Sequence, residues 1–258
     1  MDYYFSTKSL TVGYEEKPVV SEVEIGINRG EILTLIGPNG AGKTTILKSI
    51  IRQLKPMAGV VYIEREAINE MNPKELARKM AVVLTTPLRS EMMTVENVVE
   101  TGRYPYTGPF GKLSEQDRRI VNEAMEMIHV KNIKDMDFTR ISDGQRQRVM
   151  LARALAQQPD IIVLDEPTSF LDIKHKLEFL AVLKKLAVEK KLTVIMSLHE
   201  VELAKAVSNQ IACFKDGKLD RIGSPNEIYT EGYLQELYGI NLQELTPQLI
   251  EVATRLSD

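Results

Sequence analysis

The stretch EILTLIGPNGAGKTTILKSI, residues 31–50, constrains this chain more than any other part of it. An apolar and β-branched run leads into GPNGAGKT, after which apolar residues recur at helical spacing. Strand, glycine-rich turn and helix in that order present backbone N–H groups at a helix amino end, where the dipole favours an anion. Residues 37–44 fit the pattern of glycine, four free positions, glycine, lysine, and serine or threonine, which wraps phosphate oxygens. Gly37, Pro38, Asn39, Gly40, Ala41 and Gly42 supply the cradle, and Lys43 reaches the terminal phosphates. The Thr44 hydroxyl suits Mg2+, and Thr45 opens the helical pattern.

That strand has companions. DIIVLD (160–165), LTVIMSL (192–198) and QIACF (210–214) are nearly continuous apolar runs, as expected for strands buried on both faces of a mostly parallel sheet. Helical spacing marks residues 45–54, 115–130, 145–157 and 174–189 between and beyond them. The alternation predicts an α/β fold with a mostly parallel sheet, and with the loop at 37–44 it resembles a P-loop NTPase core. Residues 3–13 and the following VVSEVEIGINRG predict an antiparallel β region at the N-terminus. Strand-like runs then vanish between about 86 and 140, which predicts a helical subdomain inserted into the core. The tail reads as two or three short helices, with Pro225 and Pro247 near helix starts. The expected organisation is a single domain over 1–258: core about 1–85 and 159–222, insert about 86–158, tail about 223–258.

Composition narrows the function. At 258 residues, with 43% hydrophobic and 27% charged residues, the chain can bury a sizeable core. A net charge of −3 gives no reason to expect a polyanion partner, and no nucleic acid is expected. The basic run from Arg146 to Arg148 reads as a solvated helix face. One cysteine, Cys213, excludes an internal disulfide, and its apolar setting predicts a buried, inert thiol in a reducing compartment. The amino terminus lacks the basic and apolar parts of a secretory signal, and no apolar run approaches the ~18 residues of a membrane span. Any role at a membrane therefore runs through a partner.

In IIVLDEPTSFLD, Asp165 and Glu166 stand at the carboxyl end of an apolar strand, where open α/β sheets place their ligands. Adjacent residues leaving a strand point different ways, so Asp165 can help hold Mg2+ while Glu166 serves as general base or orients the attacking water. IMSLHEVELA repeats this placement with His199, from where the imidazole can contact a γ-phosphate. His129 and His175 fall in helical segments and read as structural.

Gly37 to Thr44, Ile141 to Gln145, Ile161 to Glu166, Phe170 to Asp172 and His199 together resemble the nucleotide-binding subunits of ATP-binding cassette (ABC) transporters. ISDGQ, residues 141–145, is the discriminating stretch and is similar to the family's Leu-Ser-Gly-Gly-Gln signature. The resemblance implies ATP and Mg2+ as ligands. It also implies a head-to-tail dimer in which Ser142, Gly144 and Gln145 of one copy cover the γ-phosphate held by the other. Tyr14 matches the aromatic residue that stacks on adenine, and Asp172 the aspartate that links the two sites. Thr85 stands where the family usually has a glutamine that ligates the metal, which puts metal contact there in doubt. Asp143 replaces the signature's first glycine. About 4 Å from a phosphate its carboxylate would cost up to ~4 kcal/mol at an effective dielectric of 20. The helix dipole returns only ~0.3 to 1 kcal/mol. The carboxylate is therefore expected to turn from the phosphate.

TVENVVETGRYPYTGP resembles importer cassettes for iron siderophores, haem and cobalamin. The implied machine has two cassettes on the cytoplasmic face of the membrane, two permease subunits and an extracellular substrate-binding protein. The chain's short continuation past the core is expected to leave no room for a large regulatory domain. Two alternatives stay open: a soluble ATPase of the same family without a permease, and a nucleotide-binding cassette with impaired turnover.

Overall fold

In the computed structural model, which describes residues 3–84, 92–108, 110–230 and 232–239, the chain opens on two long antiparallel strands. These are β1 (Phe5–Tyr14) and β2 (Lys17–Val23), joined at Glu15 and Glu16, both in left-handed backbone. The short β3 (Gly26–Ile27) pairs with β1. Then come β4 (Ile32–Ile36), the phosphate loop and helix α1 (Lys43–Ile50). A second hairpin, β5 (Ala58–Ile63) and β6 (Glu66–Ala67), joins β1 on its other side, and α2 (Pro73–Lys79) leads into β7 (Met80–Val83).

The insert follows, with α3 (Val95–Glu100), a 3-10 turn over Thr101–Tyr106, α4 (Glu115–Met127) and α5 (Asp143–Ala156). The chain returns through β8 (Ile161–Leu164), α6 (Ile173–Lys190), β9 (Thr193–Ser197), α7 (Val201–Val207), β10 (Gln210–Lys215) and β11 (Lys218–Gly223). Helices α8 (Pro225–Ile228) and α9 (Tyr233–Tyr238) close the described chain; Pro247 lies outside it.

The strand order is β6-β5-β1-β2-β11-β10-β4-β9-β8-β7, and the run from β10 to β7 is parallel. Period-two alternation sends neighbouring residues of these strands into two cores. Ile32, Ile162, Leu164, Val194 and Met196 face the insert and α6, whereas Leu33, Leu35, Ile161, Val163 and Ile195 face α1 and the antiparallel strands. Burial on both sides is why the sequence of each strand is apolar without a break. Cys213 is buried on β10, and burial pushes its thiol up to about 11, as expected of an inert side chain.

The GRYP stretch has a packing role. Gly102 lies against α5, where an added Cβ would meet the Arg153 carbonyl oxygen at 2.2 Å. Arg103 is buried and spans the insert: Nε donates to Asp117 Oδ1 (2.8 Å) and NH1 to the Ala156 carbonyl (2.8 Å), beneath the Tyr106 ring. Asp117 also closes the capping box of α4 with Ser114.

Candidate active site

The phosphate loop is shaped by contacts that only glycine allows. Gly37 (φ 142°) turns out of β4 so close to β10 that a Cβ would meet the Phe214 carbonyl oxygen at 2.1 Å. Gly42 (φ 95°) is the N-cap of α1 and faces Val20, leaving no room for a side chain. Ala41 N–H closes the loop on the Pro38 carbonyl at 3.3 Å. Lys43, the first residue of α1, is 5% exposed, and its Nζ donates to the carbonyls of Gly37 (2.7 Å) and Pro38 (3.0 Å). Burial lowers the Lys43 pKa, while Glu166 and Asp165 oppose that by favouring the ammonium.

Pairing of β8 with β9 delivers the acidic groups to this loop. Asp165 and Ser197 follow one another across the strand ends, and Ser197 Oγ donates to Asp165 Oδ1 at 2.8 Å. The same oxygen of Asp165 accepts from Thr44 Oγ1 at 3.1 Å. Glu166 takes left-handed backbone (φ 47°), an arrangement costing about 1–3 kcal/mol that persists only where surroundings impose it. Here its N–H is anchored on Ser197 Oγ at 2.8 Å and Ser169 Oγ donates to its Oε2 at 3.2 Å. Its other oxygen, Oε1, meets His199 Nε2 at 2.5 Å. Val19, Asn39, Gly40, Gly42, Lys43, Thr44, Thr45, Glu166 and His199 line one cleft of about 380 Å3. Tyr14 closes β1 at the hairpin tip, 46% exposed, beside the strand that supplies Val19. Thr85 lies outside the described residues.

The signature stretch builds a second cleft, of about 440 Å3, lined by Ser142, Asp143, Gly144, Gln145, Arg148, Phe170, Leu171, Asp172 and His175. Ser142 is the N-cap of α5: Oγ accepts from Gln145 N–H at 3.2 Å, and Gln145 Oε1 accepts from Ser142 N–H at 2.9 Å. Because the Ser142 oxygen accepts from the helix, its proton is left to donate outward. Asp143 Oδ1 pairs with Arg146 (2.8 Å). Asp172 is the N-cap of α6; His175 donates its backbone N–H to one carboxylate oxygen (2.9 Å) and meets the other through Nδ1 (2.8 Å). These contacts hold the Asp172 carboxyl below its ordinary range.

The structure adds to the sequence reading and corrects it in one place. Arg146 and Arg148 are not a free solvated face, since the first binds Asp143 and the second Glu178 on α6 (2.7 Å). His175, read as structural, lines the second cleft beside Asp172. Ser197, the shared partner of Asp165 and Glu166, was missed. So was Glu200, next to His199, which accepts from Lys176 and from Thr168 Oγ1 (3.2 Å). Burial pushes the Glu200 pKa up, but these bonds outweigh it and hold the carboxyl below its usual range.

A phosphate loop at the carboxyl edge of a parallel sheet, with a carboxylate pair and a histidine on the adjoining strand ends, defines a nucleotide-hydrolysing P-loop protein. The model of the ABC transporter family matches residues 20–169, more than half of the chain, and the chain belongs to that family. It binds ATP and is an ATPase of that family. It is 46% identical to the ABC transporter ATP-binding protein MJ0873 of Methanocaldococcus jannaschii, over 91% of this chain and 81% of that one. It is 38% identical to the iron(3+)-hydroxamate import ATP-binding protein FhuC of Bacillus subtilis, over 93% and 90%. The dimeric structure of the bacterial ABC transporter cassette MJ0796 superposes with a TM-score of 0.76 at 30% identity, over 86% and 98%.

Proposed function

We propose that this chain powers import of an iron-siderophore, haem or cobalamin-type ligand, as a head-to-tail pair of copies on the cytoplasmic face of a membrane beneath partner permease subunits. The observation that carries this reading is the division of the candidate residues between two clefts of one chain. A nucleotide held by Lys43 meets Ser142, Gly144, Gln145 and Asp172 only where a second copy supplies them. The whole chain, 1–258, works as one cassette, with residues 86–158 as its helical insert.

Within such a pair the loop N–H groups and Lys43 hold the β- and γ-phosphates, and the Tyr14 ring stacks on adenine. Glu166, steadied by Ser197 and Ser169, accepts a proton from the attacking water or orients it, and His199 bridges Glu166 to the γ-phosphate. Thr44 and Asp165 bring two hard oxygens within 3.1 Å, a donor set that fits Mg2+. The ion, when bound, would offset phosphate charge; Thr85, the residue aligned with the family's glutamine, has a shorter side chain that would need a bridging water to reach it.

The substrate class is supported by relatives such as the hydroxamate import subunit, and these do not favour a soluble, non-transport role. Among the described residues no helix is long and apolar enough to cross a membrane. In this reading the pore belongs to partner permease subunits, fed by an extracellular binding protein. The test is uptake of radiolabelled ferric hydroxamate, with haem and cobalamin in parallel, in cells lacking the chain. The parent restores uptake of one of these and Glu166→Gln does not; uptake of all three indifferent to the chain would overturn the import reading.

A further inference from the structure

The first turn of α5 carries a charge pair that the chemistry above does not use. Asp143 sits beside Ser142 and Gly144 in the second cleft, and its Oδ1 is bound by Arg146 NH1 one turn along, at 2.8 Å. The arginine is itself seated, with its guanidinium carbon 5.7 Å from the ring centroid of the buried Phe138. Its side chain is 29% exposed against 65% for the aspartate, so the arginine is the inner, more buried partner of the pair. Arg148, the other arginine of this cleft, is engaged with Glu178.

We propose that Arg146 is a positioning residue that turns the Asp143 carboxylate away from the phosphate face and cancels its charge. An acid inside the signature is thereby compatible with a polyphosphate brought by a second copy. This rests on the two-copy reading of the site. Freed from Arg146, the carboxylate turns toward the opposing γ-phosphate. A full charge about 8 Å from a phosphate in a half-wet cleft changes affinity roughly 3- to 30-fold.

The experiment uses the Glu166→Gln chain and follows Mg2+-ATP-dependent dimerisation by sedimentation. Adding Arg146→Ala should raise the ATP concentration for half-maximal dimer roughly 3- to 30-fold, while ATP affinity of the monomer, set by the Lys43 cleft, stays constant. Asp143→Gly together with Arg146→Ala should return dimerisation to the starting level, and Arg146→Lys should retain it. Arg140→Ala, which removes a cation that is 83% exposed just before the signature, controls for general charge loss. The proposal is overturned if Arg146→Ala dimerises like its background, if the double variant is no better than Arg146→Ala, or if Arg140→Ala is equally damaging. If the Glu166→Gln background forms no dimer at any ATP concentration, the two-copy reading itself fails, and this proposal with it.

Discussion

At the scale of single residues, the site depends on Glu166 being held in a backbone conformation that a non-glycine residue rarely takes. Glu166→Gln keeps the shape but removes the proposed base. Turnover should fall roughly 10²- to 10⁴-fold with ATP affinity unchanged; a parent-like rate in a steady-state assay would remove Glu166 from its assigned role. Ser197 anchors both the Glu166 N–H and the Asp165 carboxylate. Ser197→Ala strands that N–H and should cost about 1–3 kcal/mol of stability by urea unfolding, together with a drop in turnover. The loop residues and the carboxylate pair were legible in the sequence because their chemistry needs contiguous spacing along a strand-to-loop turn. Ser197 and Glu200 were not, because their roles arise from contacts across the fold. Ser197 meets Asp165 only through the pairing of two parallel strands, and a serine ending a strand carries no signal of that.

At the scale of elements, the same contrast separates the strands. β4, β8, β9 and β10 were readable since both of their faces are buried. β11, with the sequence KLDRIG and a mostly exposed pattern, has no such run, and its place follows from the hairpin with β10. The helical insert was legible as a region. The reason for its GRYP stretch was not, because Gly102 and Arg103 answer to α4 and α5, elements distant in sequence. Gly102→Ala drives a methyl into the Arg153 carbonyl and should destabilise by about 1–3 kcal/mol, read from the shift in the urea midpoint. An unchanged midpoint would show that the 3-10 turn moves off α5 freely. Glu200 ties the start of α7 to α6 through Lys176. Its folded pKa lies below its ordinary 4.5, so its contribution is complete above that pH and is lost as pH falls through the lowered value. Glu200→Gln should therefore make the acid side of the stability profile shallower as pH falls below the ordinary 4.5; an unaltered profile would mean that the network is not part of the acid response.

At the scale of the whole molecule, the candidate residues fall in two separate clefts, one at the carboxyl edge of the sheet and one at the first turns of α5 and α6, and in the proposed pair neither is complete in one copy. In the proposed pair, two-fold symmetry would join each phosphate loop to the signature of its partner and complete both half-sites in one closed contact. The most direct test is Mg2+-ATP hydrolysis by the purified chain across a wide range of protein concentration. Turnover per chain should rise with concentration and level off as the pair saturates. Turnover per chain that is the same at every concentration, under conditions where sedimentation finds only monomer, would contradict it.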